Sequence, residues 1–338
     1  MKLDAVKGTL WGQAIGDALG VPYEYKTASQ LRGVSIHYQD VTRKNAQFKS
    51  GDFSDDTEMA MALLDAYLLG LEKFGRSPEA PPEPRIIAER FKFWADRDGR
   101  GMGGHTRKVL SDPAFLEDPL EVSRSVWAAS GYNSAPNGAV MRASYVGLMN
   151  PTADAAWTAQ AANLCASVTH YDPRCVMGAQ GVALVVRNAC MGLTSSHEEV
   201  LTYVRKGMGA TVLEDPILFG KVSLEDLQLD EGMGVAGTAR KQAPIGYTWK
   251  AAGAGFWALR EAYSAGASFE DLLVRIIQEG GDADTNAAVV GGMLGGVWGY
   301  SNIPKHLIDG IYWGSALRLE ALYQRLLASY KARGITLE

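Results

Sequence analysis

Glycine spacing constrains this chain more than any other feature. Gly12, Gly16 and Gly20 recur every fourth residue in an apolar stretch, and Gly291, Gly292, Gly295 and Gly296 keep the same spacing near the other end. At helical periodicity each set lines one helix face. A face without side chains lets backbones approach, so close helix–helix packing is expected for both sets. Such packing would also bring together loops that are far apart in the sequence.

Two of those loops are acidic and alike. Ser54-Asp55-Asp56-Thr57 follows Gly51-Asp52-Phe53, and Asp282-Ala283-Asp284-Thr285 follows Gly280-Gly281. Each runs straight into a small-residue, apolar, helix-forming stretch. Carboxylates and hydroxyls crowded at a helix start are hard oxygen ligands of the kind Mg²⁺, Mn²⁺ or Ca²⁺ prefer. Two such clusters face to face could hold two cations and activate a water between them. Capping is the alternative: Ser and Asp are preferred N-caps, first-turn carboxylates complement the helix dipole, and Asp55 with Glu58 has capping-box spacing. Paired acids exceed what one cap requires, and like charges that close repel unless a cation intervenes. The repetition favours metal.

Around these loops the pattern is helical throughout. Apolar residues recur at helical spacing over 5–19, 57–71, 84–95, 120–129, 153–168, 174–190, 197–206, 251–264, 269–277, 285–298 and 305–331, mostly bounded by Gly, Pro, Ser or Asp. Period-two alternation is almost absent, and 34–38 is the best strand candidate. No alternation of strands and helices suggests a Rossmann sheet, so an all-α domain follows. Ser77 to Pro84 carries four prolines in eight residues and reads as a surface loop between helices. Residues 207–243 are glycine-rich and poorly periodic, an irregular excursion. We therefore treat 1–338 as a single domain with irregular loops near 77–84 and 207–243.

Bulk numbers exclude several classes. With 338 residues and 47% hydrophobic content the chain can bury a large core. A formal net charge of -5 offers no bulk attraction to nucleic acid or an anionic membrane. Cys165, Cys175 and Cys190 make an odd count without CxxC spacing, which suggests reduced, buried thiols. Met1-Lys2-Leu3-Asp4 does not read as a secretory leader, and residues 287–300 are too short and glycine-rich to span a bilayer. A soluble, cytoplasmic protein is the expectation. Five histidines, none at zinc-ligand spacing, speak against a Cys/His zinc site.

A polar, turn-rich loop runs from Gly99 through Gly101, Gly103, Gly104, His105 and Thr106 into Arg107-Lys108-Val109-Leu110. Backbone amides freed by glycine at a helix start suit a diphosphate, although no Gly-Lys-Ser/Thr makes this a P-loop.

Together these motifs resemble the ADP-ribosylglycohydrolase family. The resemblance rests on residues 12–24, from Gly12-Gln13-Ala14-Ile15-Gly16-Asp17 to Tyr23-Glu24, and on Ser54-Asp55-Asp56-Thr57 and Gly281-Asp282-Ala283-Asp284-Thr285. The Gly103–Thr106 loop, Asn137-Gly138-Ala139-Val140-Met141-Arg142, Thr169-His170-Tyr171-Asp172-Pro173 and Gly246-Tyr247 follow in order. It spans nearly the whole chain, and several motifs in one order are far more specific than any one alone.

The resemblance implies a compact, single-domain orthogonal helix bundle that hydrolyses the N- or O-glycosidic link between ADP-ribose and a protein side chain or small acceptor. It also implies two Mg²⁺ ions (Mn²⁺ the alternative) and a monomer. The implied metal ligands are Ser54, Asp55, Asp56, Asp282, Asp284 and Thr285, and the implied catalytic set is Glu24, Asp55, Asp56 and Asp284. Gly101, Gly103, Gly104 and His105 would cradle the diphosphate. Asn137, Gly138 and Arg142 would line the ribose and phosphate path, and His170 and Tyr247 would hold the adenosine end. Each has a bland counterpart: His170 could cap the next helix, and Arg142 could be an internal support. The chain departs from the pattern at Gly101, where many arginine-directed members carry Asp; Asp96 and Asp98 lie just upstream. The acceptor therefore stays open, with two further classes: an ADP-ribose-binding reader without turnover, and a di-metal phosphohydrolase suggested by Asp-x-Asp-Thr. That motif should follow a buried strand, and Glu279-Gly280-Gly281 precedes it here.

Overall fold

Two helices in backbone contact form the centre of the molecule. The computed structural model describes residues 1–43, 46–209, 219, 221–231, 244–264 and 266–338. In chain order the helices are α1 (Leu3–Gly20), α2 (Ala28–Leu31), α3 (Asp55–Phe74), α4 (Pro84–Arg97), α5 (Gly104–Leu110), α6 (Pro119–Ala129) and α7 (Ala155–Ser167). They continue with α8 (Pro173–Cys190), α9 (His197–Met208), α10 (Thr248–Ala262), α11 (Phe269–Gln278), α12 (Ala283–Trp298), α13 (Lys305–Asp309) and α14 (Trp313–Ala332). The fold is all-α. Its one sheet among the described residues is an antiparallel hairpin of β1 (Val41–Arg43) and β2 (Ala46–Phe48).

Helices α1 and α12 run antiparallel and are buried around almost their whole circumference, as expected for helices apolar on every face. A Cβ on Gly12 would fall 2.2 Å from the Gly291 carbonyl oxygen, and one on Gly16 would fall 2.0 Å from that of Ala287. The pairing extends to Gly8 against Gly295 and to Gly20 against the Asp284 Cα. The glycine combs thus interlock over four turns. They fix the C-terminal end of α1 against the first turn of α12.

The other helices surround this pair. α8, α10 and α11 pack on α12, α7 and α9 pack outside α8, and α3 carries α4 and α14. Local signals set the helix starts. Asp118, Asp154, Asp172, Ser196 and Ser268 cap α6, α7, α8, α9 and α11 through side-chain acceptors, and Pro occupies the first turn of α4, α6 and α8.

Two expectations need correction. Residues 34–38 form no strand; the phenol oxygen of Tyr23 accepts the His37 amide at 2.9 Å and sits 3.2 Å from the Ser35 carbonyl, so a side chain takes the place of a partner strand. The helix expected over 305–331 is broken between α13 and α14. There the Tyr312 amide donates to the Gly51 carbonyl at 2.8 Å, docking the break against the loop before Ser54. Of the excursion expected at 207–243, residues 210–218, 220 and 232–243 lie outside the described residues.

The three cysteines are free and buried. Among the described residues, no helix is long and apolar enough to cross a membrane.

Candidate active site

The acidic cluster at the start of α3 is held by a third carboxylate from α1. Ser54 is the N-cap; its hydroxyl lies 3.4 Å from the Asp56 amide and 2.8 Å from Asp56 Oδ2. The capping-box pairing of Asp55 with Glu58 does not form, because Asp55 is already inside the helix and Glu58 turns away to a salt bridge with Arg318. The orphan amides at this helix start find Asp17 instead. Asp17 Oδ1 accepts from the Ser54 amide at 3.0 Å, and Oδ2 accepts from the Thr57 amide at 3.0 Å and the Thr57 hydroxyl at 2.6 Å. With capping left to Asp17, the Asp55 and Asp56 carboxylates are free to face the cavity.

The second cluster reaches the same place through a glycine turn. Gly280 and Gly281 have φ of +71° and +70°, and a Cβ on either would strike a backbone carbonyl at about 2 Å, that of Lys26 or Leu229. The Gly281 amide donates to Lys26 and the Tyr25 amide donates to Gly281, both at 2.8 Å. This lacing sets Glu24 beside Asp282 and Asp284, with one carboxylate oxygen from each lying within 4.8 Å of the others. Asp282 occupies the N-cap of α12 without making a side-chain cap bond; its Oδ2 accepts from Asn137 Nδ2 at 2.9 Å instead.

The two clusters meet across a cavity of about 240 Å³. Glu24, Tyr25, Asp55, Asp56, Asp282, Asp284 and Thr285 form its acidic side. Burial pushes the Asp55, Asp56 and Asp284 carboxyls well above the usual carboxylate range, and neighbouring acids add to the shift. Burial also raises Asp17, to about 6, against the lowering effect of its bonds from Thr57 and Ser54. Asp56 Oδ1 is buried without a hydrogen-bond partner. Crowded, dehydrated carboxylates with an unmatched oxygen suit a hard divalent cation, and the donor set fits one.

A family model described as ADP-ribosylglycohydrolase matches residues 1–335. The chain belongs to the ADP-ribosylglycohydrolase family. Members hydrolyse ADP-ribose linkages, and this chain is an enzyme of that kind. It is similar to the ADP-ribosylarginine hydrolase Tri1 of Serratia proteamaculans, at 25% identity over 91% of this chain and 75% of that protein. It is also similar to the ADP-ribosylhydrolase ARH3 of Mus musculus, at 27% identity over 88% and 85% respectively. The fold matches a chain of an ADP-ribosylglycohydrolase-related protein complex with a TM-score of 0.62 and 22% identity, covering 96% of this chain and 98% of the other.

The opposite wall of this glycohydrolase cavity contains Gly101, Gly103, Gly104, His105, Asn137, Gly138 and His170. Gly138 makes room for a histidine, since a Cβ there would lie 2.7 Å from His170 Cε1. His170 is fully buried and its ring lies 4.6 Å from that of His105. Burial holds the His170 imidazole well below its ordinary pKa, and His105 and Arg142 push in the same direction.

Arg142 does not reach the cavity. Wholly buried, it lies over the Phe91 ring, and its Nη2 donates to the Cys165 carbonyl and, at 2.7 Å, to Thr169 Oγ1. Thr169 Oγ1 is 2.8 Å from His170 Nδ1. Arg142 can only donate, so the Thr169 hydroxyl oxygen accepts from it and stands between the guanidinium and the His170 ring. Arg142 therefore acts as the internal support and, through Thr169, helps hold the His170 ring in place.

Tyr247 also lies off the lining. It bridges to Pro136 at the rim, where Gly246 is the lining residue. Ser54 sits behind Asp56, again off the lining. Asp96 and Asp98 supply no carboxylate here; they accept from Lys92 and Arg100. Gly101, at φ +80°, lies so close to Asp55 that a Cβ would fall 2.4 Å from Oδ1. Sequence reasoning passed over Asp17 and Tyr25. A lone carboxylate inside an otherwise apolar helix was the available signal for Asp17; nothing local marks Tyr25.

A larger groove of about 550 Å³ lies between α3, α4 and α14. It shares no carboxylate with the acidic cavity, and Arg318 and Arg325 on its wall are matched by Glu58 and Asp65.

Proposed function

We propose that this enzyme releases ADP-ribose from a protein side chain or small acceptor by magnesium-dependent cleavage of the glycosidic bond. The convergence of Glu24, Asp55, Asp56, Asp282 and Asp284 on one cavity carries the reading. Asp55, Asp56, Asp282, Asp284 and Thr285, with Ser54 orienting Asp56, are the ligand set. Two Mg²⁺ ions, or Mn²⁺ in their place, would supply Lewis acidity and a template for the ribose hydroxyls and the attacking water.

The chain's own groups supply the rest. Gly103 and Gly104 have open space where a Cβ would be, so their backbone can approach a diphosphate. The His170 ring, with Cε1 and Nε2 against Gly138 on the cavity lining, is suited to a hydrogen bond with a phosphate or ribose oxygen. Cleavage builds oxocarbenium character on the sugar, and a carboxylate-crowded wall stabilises that charge. Glu24, beside Asp282 and Asp284, is placed to order the water or take its proton. We take the protein to be a cytoplasmic monomer.

The reader alternative rests on Gly101, which brings no carboxylate to the loop. Incubating ADP-ribosylated protein with the enzyme and measuring free ADP-ribose by mass spectrometry separates the two. Release that needs Mg²⁺ and stops with EDTA supports hydrolysis. Tight ADP-ribose binding with no release from arginine-, serine- or nucleobase-linked substrates supports the reader.

A further inference from the structure

The loop that carries Gly101, Gly103 and Gly104 has little of its own to hold it. Gly99 and Gly101 both stand at positive φ, +58° and +80°, and glycine at every second residue makes such a segment costly to order. Within the turn, the Met102 amide reaches the Gly99 carbonyl only at 3.3 Å. Yet Gly101 is pressed against the first acidic cluster, with no room for a Cβ beside Asp55 Oδ1. A loop this permissive needs an external tie to stay there.

The Arg100 side chain supplies it. Arg100 is not on the cavity lining, although Gly101 beside it is. Its Nη1 donates to Asp52 Oδ2 at 2.7 Å and to the Gln47 carbonyl at 2.9 Å, and its Nε donates to Asp98 Oδ1 at 2.8 Å. The guanidinium also lies 4.9 Å from the Phe48 ring centroid. Among the described residues, every hydrogen bond between 99–103 and 46–54 comes from this one side chain. Asp52 is itself fixed, since its Oδ1 accepts from the Ser315 hydroxyl at 2.6 Å. It stands two residues before Ser54, the N-cap of α3. The Asp52 side chain is only 8% exposed, so the pair escapes most of the screening that makes surface salt bridges weak. A planar fork can serve three acceptors at once, which a lysine ammonium on its flexible stem does less well.

We infer that Arg100 is a positioning residue: it latches the 99–104 loop to Asp52 and so holds the loop backbone beside Asp55, in the place that receives the diphosphate of ADP-ribose. The loop's one cation is thus engaged by the protein and not by the phosphate. The inference rests on the hydrolase reading for its ligand and adds what keeps the cradle in register with the acidic wall.

The test measures ADP-ribose affinity, Mg²⁺ affinity without ADP-ribose, and steady-state release in the full chain and in Arg100→Ala, Arg100→Lys, Asp52→Asn and the Arg100→Ala/Asp52→Asn double variant. Arg100→Ala should weaken ADP-ribose binding about tenfold, the scale of one charge-assisted hydrogen-bonded pair. KM should rise in step while kcat and Mg²⁺ affinity hold. Arg100→Lys should recover part of the loss. The double variant should bind ADP-ribose no more weakly than the weaker single variant, because both changes open one latch. Wild-type ADP-ribose affinity in Arg100→Ala overturns the inference. So does an equal loss of Mg²⁺ binding, which would mark general support of the fold, or additive losses in the double variant. If Arg100→Ala does not fold, Arg100→Lys decides: it must weaken ADP-ribose binding and spare Mg²⁺. A wild type that binds ADP-ribose but releases none from any acceptor overturns the hydrolase reading and leaves the latch to the affinity measurements. One that does not bind ADP-ribose overturns both.

Discussion

Asp17 Oδ2 accepts both the backbone amide and the hydroxyl of Thr57, a residue 40 positions later. One carboxylate on α1 thereby caps α3 and ties the first acidic cluster to the helix that also packs against the second. Asp17→Ala leaves the Ser54 and Thr57 amides and the Thr57 hydroxyl buried without their acceptor. We expect a loss of about 3–5 kcal/mol in urea unfolding, together with loss of ADP-ribose release. Loss of activity at full stability would mean Asp17 acts on substrate directly.

The glycine comb makes an independent prediction. A methyl at Gly12 or Gly16 meets backbone about 2 Å away, which no rotamer can relieve. Gly16→Ala should cost at least about 1–3 kcal/mol and separate the two acidic loops, weakening Mg²⁺ binding. Gly70→Ala on α3 is the control, since its nearest neighbour is the flexible Arg76 side chain at 3.3 Å. Chemical denaturation of the two variants should rank them clearly; equal stabilities would contradict the interlocked packing.

Removing a charge from the acidic wall should separate stability from function. Asp55, Asp56 and Asp284 are dehydrated and repel one another. Asp284→Ala, measured in EDTA, is expected to be at least as stable as the wild type, because a buried like charge has been removed. Its ADP-ribose release should fall by orders of magnitude. A variant that stays fully active removes Asp284 from the site.

The pH dependence follows from the sign of these shifts. A carboxyl whose folded pKa is raised above its unfolded value stabilises the fold below the unfolded value, about 3.8, and that stability is lost as pH rises through the folded value. For Asp17 the window runs from 3.8 to about 6; for Asp55, Asp56 and Asp284 it extends higher. Cation binding needs those protons gone. Thermal stabilisation by Mg²⁺ relative to EDTA should therefore be small near pH 5 and grow towards pH 8. Taking that difference cancels groups outside the cluster, including the buried His170, whose depressed pKa acts with opposite sign. A stabilisation that shrinks as pH rises would contradict the assignment.

The sequence exposed this site unevenly, for physical reasons. Helical period and glycine spacing are local, so the long helices and the α1–α12 contact could be read directly. The acidic loops stood out because their charge exceeded what capping requires. Asp17 looked like one polar residue in an apolar helix, since its partners Ser54 and Thr57 are remote. Arg142 was expected on the substrate path, whereas it lies behind the wall and works through Thr169 on His170, a relay that depends on three side chains meeting in space. The break before α14 was invisible because Gly51, which receives the Tyr312 amide, lies far upstream. Tyr25 gave no sign at all, because its left-handed backbone, at φ +65°, is not written in residue type.

Calorimetric titration of Mg²⁺ into the metal-free protein and its Asp284→Ala variant at pH 8 tests the central claim most directly. The account predicts saturable binding to the wild type with a stoichiometry near two, and a sharp loss of at least one site in the variant. Equal binding by both proteins, or no binding by the wild type, would contradict it.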